Sequence, residues 1–311
     1  IRIDNMGNVV AIKKGKERKR VMIGAHMDEI GFIVTHIDDK GFVYFHTLGG
    51  FDPKTLTAQR VIIHGTEDVI GVMGGKPIHL MNAADRAKVP TIKDYFIDTG
   101  RPKKELDKII SVGDTITRSS ELIEMGDCIN CKSLDNRVSV FILIEMFREM
   151  KKTPPYDVYG VFTVQEEIGI RGANVSSMDI NPDFGFGLDT TIAWDTPGST
   201  KQEQVSVLGD GACIKVMDSA TVCDYRMVKY MKELSKKKKL KTQLEILPAG
   251  GTDTAGIQRM NPGGCIAGAV SIPTRHIHQS IEMVHKKDVR GAIDLLRHSV
   301  ENLHTYDWSF R

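Results

Sequence analysis

The 311-residue sequence has no run of about 18 apolar residues, so no segment reads as a membrane-spanning helix. It has no excess of either charge. The 42 Lys and Arg against 40 Asp and Glu leave a formal net charge of +2, without the basic footprint that nucleic acid requires. Its start, Ile1-Arg2-Ile3-Asp4, lacks the apolar core of a signal peptide and an initiator Met, which suggests a trimmed version of a longer chain. The five cysteines are few and odd in number. They suit a reducing, cytoplasmic setting better than a disulfide framework. No Gly-x-Ser-x-Gly elbow and no phosphate-binding loop occurs, and no internal repeat is visible. What is present is 41% hydrophobic and 26% charged, the composition of an ordinary globular protein. At about 150 residues per domain, the length predicts two domains.

The chain changes rhythm near residue 122. Before it, short β-branched or aromatic runs at 31–37, 41–45, 60–64 and 69–73 are separated by Gly, Asp and Pro, with no long helix. Residues 33–121 therefore read as a small all-β module. Ahead of it, 1–3 and 9–12 flank a hairpin-like turn at 5–8, and 21–25 is a buried strand. After it, helices are predicted at 136–150 and 225–237, and strands at 156–164, 184–188, 212–216, 242–247 and 265–272. Val289, Ile293, Leu296, Val300 and Leu303 line one face of a last helix. Alternating strands and helices predict an α/β domain, a mainly parallel sheet with helices on both faces, made from 1–32 and 122–311. The β module is an insertion in it. Lys236 to Lys239 read as a solvated helix end.

Five acidic or histidine clusters carry chemistry at strand ends or helix starts. His26 and Asp28 follow the strand at 21–25, and Asp135 opens a helix. Glu166 and Glu167 follow 156–164, Asp189 follows 184–188, and His278 follows 265–272. In an open α/β sheet, ligands bind beyond the carboxyl ends of the strands, so these positions converge on one edge. Two imidazoles with three carboxylates suit zinc, cobalt or manganese. One catalytic zinc takes three protein ligands and a water, so five ligands imply two metals sharing a carboxylate.

The motifs Gly24-Ala25-His26-Met27-Asp28-Glu29-Ile30-Gly31, Leu134-Asp135-Asn136-Arg137, Val164-Gln165-Glu166-Glu167-Ile168-Gly169 and Arg275-His276-Ile277-His278 resemble those of the TET-type di-metal aminopeptidases, the glutamyl aminopeptidase and "endoglucanase M" family. Gly74 to His79 and Gly250-Gly251-Thr252-Asp253 extend the likeness over nearly the whole chain. The resemblance implies a di-zinc aminopeptidase-like fold with an inserted PDZ-like β domain that mediates dimerisation, and dimers that build a dodecamer. It implies that Asp135 bridges two divalent ions, zinc or cobalt. His26 and Asp189 would complete one site, and Glu167 and His278 the other. Glu166 would be the general base that activates a metal-bridging water, and Asp28 would orient the His26 imidazole. The implied activity removes N-terminal residues from short peptides. Family members begin with some forty further residues ahead of the position of Ile1.

Other readings were weighed against these residues. A glycoside hydrolase needs a carboxylate pair beside a sugar, and Glu166 with Glu167 imitates one. Such an enzyme has no use for two histidines and a bridging Asp, and aromatics make up only 6%. An N-acyl amino acid deacylase shares the ligand chemistry, and a non-catalytic metal-binding assembly protein is the third alternative. Cys128-Ile129-Asn130-Cys131 is a CxxC without a second pair and reads as incidental thiols. His36, His46, His64 and His79 read as structural or surface residues of the β module.

Overall fold

The computed structural model of the protein describes residues 1–310, which divide into two compact units. The larger holds Ile1–Asp28, Ile123–Ile277 and Ile281–Arg311; the smaller holds Glu29–Leu122 with His278–Ser280. The short 278–280 stretch thus groups with the inserted module, although its sequence position is in the α/β part.

The larger unit is built on an 11-stranded sheet. Its centre is parallel: Tyr156–Thr163 pairs with Glu17–His26, which pairs with Phe184–Ile192, which pairs with Ile266–Arg275. Both flanks are antiparallel. The N-terminal strands Arg2–Ile3 and Val9–Lys13 add on one side. On the other, Glu282–His285, Cys128–Cys131 and Ile123–Met125 follow in order. Ala212–Met217 branches antiparallel from Ile266–Arg275 and pairs parallel with Thr242–Ile246, so the sheet is mixed, and the expectation of a mainly parallel sheet holds for its centre and this branch. The physical reason is connection length. Parallel neighbours need a crossover of a dozen or more residues, whereas the consecutive pairs Arg2–Ile3 with Val9–Lys13 and Ile266–Arg275 with Glu282–His285 are joined by short turns.

Alternation along the central strands sorts their side chains to two faces. Val21, Ile23, Ala25, Phe184, Phe186 and Leu188 join one apolar cluster with Ile142 and Met146 of the helix Leu134–Glu149, Met231 of Tyr225–Lys238 and Leu296 of Lys286–Asn302. Met22 and Val161 meet Ile180 and Ile257, at the ends of the opposing helices Arg171–Ile180 and Asp253–Arg259. Neither of these two helices is evident in the sequence. Gly172, Ser176 and Ser177 dilute the apolar period of the first, and the second spans only two turns.

The second of these helices sits close to the sheet because the strands beneath it carry glycine. A Cβ on Gly185 would lie 2.3 Å from Ile257, and one on Gly187 would lie 1.9 Å from the Thr254 hydroxyl. The smaller unit is a closed barrel of six strands, in the order Gly31–Ile37, Val43–Leu48, Phe96–Asp98, Asp68–Gly74, Arg60–His64 and Thr115–Arg118. Phe32, Val34, Val61, Ile63, Ile97 and Ile116 fill it. Its helices are a single turn or little more, Ala83–Ala87 and Lys103–Leu106, as the lack of a long apolar period in 32–122 implies.

The close approach at Gly187 yields a test. Gly187→Ala forces the helix Asp253–Arg259 off its strand, and overpacking of this kind costs about 1–3 kcal/mol. The expected outcome is a lower urea midpoint with an unchanged slope. A midpoint equal to the wild type would show that the helix has room to move.

Candidate metal centre

Strand ends deliver the candidate residues of the larger unit to one place. His26 is the last residue of Glu17–His26, and Asp189 lies near the end of Phe184–Ile192. Asp135 stands in the first turn of Leu134–Glu149, where its own backbone is not helical, with φ −77° and ψ 102°. Glu166 and Glu167 follow the end of Tyr156–Thr163 in an irregular turn. Gln165 has φ +57° and Gly169 has φ +127°, left-handed values that take the chain off the strand. Successive strand residues face opposite ways, and this turn lets both glutamates approach the same place.

His26 is 1% exposed and sits among carboxylates. Its Nε2 lies 3.3 Å from Asp135 Oδ1, 3.7 Å from Asp189 Oδ1 and 3.8 Å from Glu166 Oε2. One ligand atom each from His26, Asp135 and Asp189 falls within 4.8 Å of the others, and an oxygen of Asp135 is equally near one of Glu167. Asp28 meets His26 mainly through its main chain, with its carbonyl 3.0 Å from Nδ1 and its carboxylate 3.6 Å away. The Asp28 carboxylate serves the next turn: its two oxygens accept from the N–H groups of Glu166 (3.1 Å) and Glu167 (3.2 Å). His278 belongs to the smaller unit. There its Nδ1 is 3.0 Å from the Gly50 carbonyl, and its own carbonyl accepts from Arg118 at 2.9 Å.

The ionisation of these groups reflects their crowding. Burial alone would push the His26 imidazole down, but bonds to Asp135 and Asp189 outweigh it and hold the pKa well above the ordinary value. Burial lifts Glu166 well above its usual range; His26 opposes the rise, while Asp189, Asp253 and Glu167 add to it. Asp189 is also raised, by burial first. Asp28 is lowered, because the bonds from His26 and the two main-chain N–H groups exceed its burial cost. A buried imidazole ringed by mutually repelling carboxylates is a donor set that a divalent cation fits, and mixed N and O donors suit zinc, cobalt or manganese.

Three features of the surroundings were not read from the sequence. Asp253 is buried, takes a bond from Thr163 Oγ1, and has its pKa pushed up to about 7, chiefly by burial. Lys215 is 1% exposed in mid-strand and pairs with Asp218 at 3.0 Å and Glu245 at 3.2 Å. Thr191, two residues past Asp189, donates to the same Glu245 at 2.9 Å. Glu282 is the third, buried behind the start of the helix that carries Asp135. The available signals were a lysine inside the apolar strand 212–217 and the Gly-Gly-Thr-Asp motif at 250–253.

A family model for the M42 glutamyl aminopeptidases matches residues 7–295. The lysyl aminopeptidase of Pyrococcus furiosus is 32% identical over 316 residues, covering 99% of this chain and 89% of its own. Among solved structures, the aminopeptidase APDkam598 from the archaeon Desulfurococcus kamchatkensis is similar with a TM-score of 0.92 and 37% identity, covering 97% of this chain and 84% of that one. The Pyrococcus horikoshii TET1 peptidase, which can assemble into a tetrahedron or a large octahedral shell, is similar with a TM-score of 0.85 and 27% identity, covering 96% and 88%.

The two bonds to Asp28 can be tested directly. Asp28→Asn keeps the size but turns an amide donor toward one of the two N–H groups, leaving that donor unsatisfied. Loss of a supporting group of this kind costs about 10–100-fold in metal affinity or activity. Calorimetric zinc titration of the folded variant is expected to show a drop in that range. Unchanged affinity would mean that the 165–170 turn holds its shape without Asp28.

Proposed function

We propose a division of labour for this chain, which belongs to the M42 glutamyl aminopeptidase family and is an aminopeptidase, a metallopeptidase hydrolase. Asp135 is shared by two divalent cations; His26 and Asp189 complete one position, and Glu167 and His278 the other. The observation that carries the reading is the place of Asp135, near the ligand atoms of His26 and Asp189 and equally near Glu167. His278 joins the set through the family motif at 275–278. Zinc or cobalt is the ion best matched to these donors. Cations held there would supply Lewis-acid polarisation of the scissile carbonyl and a lowered pKa for water.

The residues of the chain do the rest. Glu166 takes the proton from the attacking water and passes it to the leaving amine. Asp28 fixes the turn that aims Glu166 and Glu167. A free substrate amino terminus would ligate one cation, which favours the removal of N-terminal residues from short peptides. The closed barrel is PDZ-like and makes the dimer contact, and dimers assemble further to a dodecamer; support for the larger assembly is that a similar TET1 peptidase forms a dodecamer. The five free thiols accord with a cytoplasmic setting, and among the described residues no helix is long and apolar enough to cross a membrane.

Two adjacent glutamates decide the chemistry. Glu166→Gln keeps the shape and removes the titratable oxygen. It is expected to retain both ions and lose turnover by about 10²–10⁴-fold, the usual worth of a general base. Glu167→Gln replaces an anionic ligand with a weak neutral one and is expected to lose one ion first. Metal content per chain, measured beside hydrolysis of aminoacyl anilides, checks both, and reversed results would reverse the two roles. For assembly, replacing residues 33–121 with a Gly/Ser linker is expected to give a smaller oligomer or monomer by light scattering. An unchanged large assembly would remove the barrel from the dimer contact.

A further inference from the structure

We propose that Glu282 is a positioning residue for Asp135, and that it acts by accepting the Asp135 main-chain N–H. The proposal rests on the reading of Asp135 as the ligand shared by two cations. The first N–H groups of a helix have no acceptor within it and need a cap. A Ser, Thr, Asp or Asn at the N-cap position normally supplies one. The residue there is Ser133, but it stands in the left-handed region at φ 58° and makes no capping bond with its side chain. Asp135 itself departs from helical geometry. Its N–H is met instead by Glu282 Oε2 at 2.8 Å, from 147 residues further along the chain.

Both ends of this bond are tied to the same ladder. The strand Glu282–His285 pairs antiparallel with Cys128–Cys131, with Cys131 opposite Glu282. Cys131 lies four residues before Asp135, so the ladder that places the acceptor also fixes the approach of the donor. Asn130, 8% exposed, fastens the register by donating to the carbonyls of Ile281 (2.6 Å) and Glu282 (3.0 Å). On the far side, Asn136 donates to the carbonyl of Leu188, one residue before Asp189, at 2.8 Å. Asp135 is thus held between two clamps, one toward the sheet edge and one toward the strand of its partner ligand. Glu282 is 1% exposed. An additional anion in a region already crowded with carboxylates is costly unless its hydrogen bonds are used.

Reach and charge can be separated by two conservative variants in the full-length chain. Glu282→Asp keeps the charge but withdraws the oxygens by one methylene. Glu282→Gln keeps the reach, with its carbonyl oxygen as acceptor, and removes the charge. Zinc affinity is read by competition with a chromophoric chelator, with the melting temperature of the metal-free forms alongside. The expected result is a loss of about 10–100-fold for Glu282→Asp, the usual effect of removing a group that orients a ligand. Glu282→Gln is expected to stay within about threefold of the wild type on the same reasoning. A purely structural role would lower metal-free stability in the Asp variant and leave zinc affinity unchanged, which overturns the proposal. So would a Gln variant weakened about 10-fold or more relative to the wild type, because charge would then be the active property. That second criterion stands even where Glu282→Asp does not fold. Wild-type chain that takes up no zinc would instead overturn the di-metal reading itself, and the proposal with it.

Discussion

The arrangement of the larger unit depends on one electrostatic constraint, the crowding of Asp135, Asp189 and Glu166 around a buried His26. Two unit charges at 4 Å interact by about 4 kcal/mol at an effective dielectric near 20. A typical hydrogen bond contributes a net of about 1 kcal/mol. Hydrogen bonds alone therefore do not offset the mutual repulsion of the carboxylates, and protons or cations must. The raised pKa values of Glu166 and Asp189 and the strongly raised His26 express the same demand for positive charge. A site that calls for cations when folded is also a site that can use them.

The scaffold meets this demand by fixing main chain rather than side chains. Asp28 accepts from two consecutive N–H groups, Glu282 from the N–H of Asp135, and Asn8 from the N–H of Val164 at 2.9 Å. Asn8 is fully buried and also donates to Asp4, Gly172 and Ser176, so the N-terminal hairpin anchors the start of the glutamate turn. Each anchor is remote in sequence from the turn or helix it holds. The glycines under Asp253–Arg259 work on the opposite face, letting a short helix bring the buried Asp253 close behind the strands.

Much of the fold was legible because periodicity reports burial directly. The runs at 21–25, 184–188 and 265–272 are central strands buried on both faces, and the apolar stripe from Val289 to Leu303 belongs to a helix on one side of the sheet. The helices Arg171–Ile180 and Asp253–Arg259 were not legible. Apart from Ile180 and Ile257, their buried apolar faces are built from Gly, Ala, Ser and Thr, which carry little hydrophobic signal. The N-terminal hairpin was legible from its turn, but the antiparallel pairing of 9–13 with 156–163 and of 282–285 with 128–131 was missed, since pairing between remote strands leaves no mark on a single strand.

The sequence by itself determined which residues could bind and move charge: His26, Asp28, Asp135, Glu166, Glu167, Asp189 and His278 each stand at a strand end or a helix start, where side chains are free to converge. It determined the inserted β module by the absence of a helical period between 32 and 122. Only the tertiary structure decided how those residues are held. The buried Lys215 bound by Glu245, the Asp28 carboxylate under two glutamate N–H groups, and the Glu282 cap on Asp135 all join residues far apart in the chain. Hydrogen bonds between remote segments depend on register and distance, and a linear pattern of residue types encodes neither.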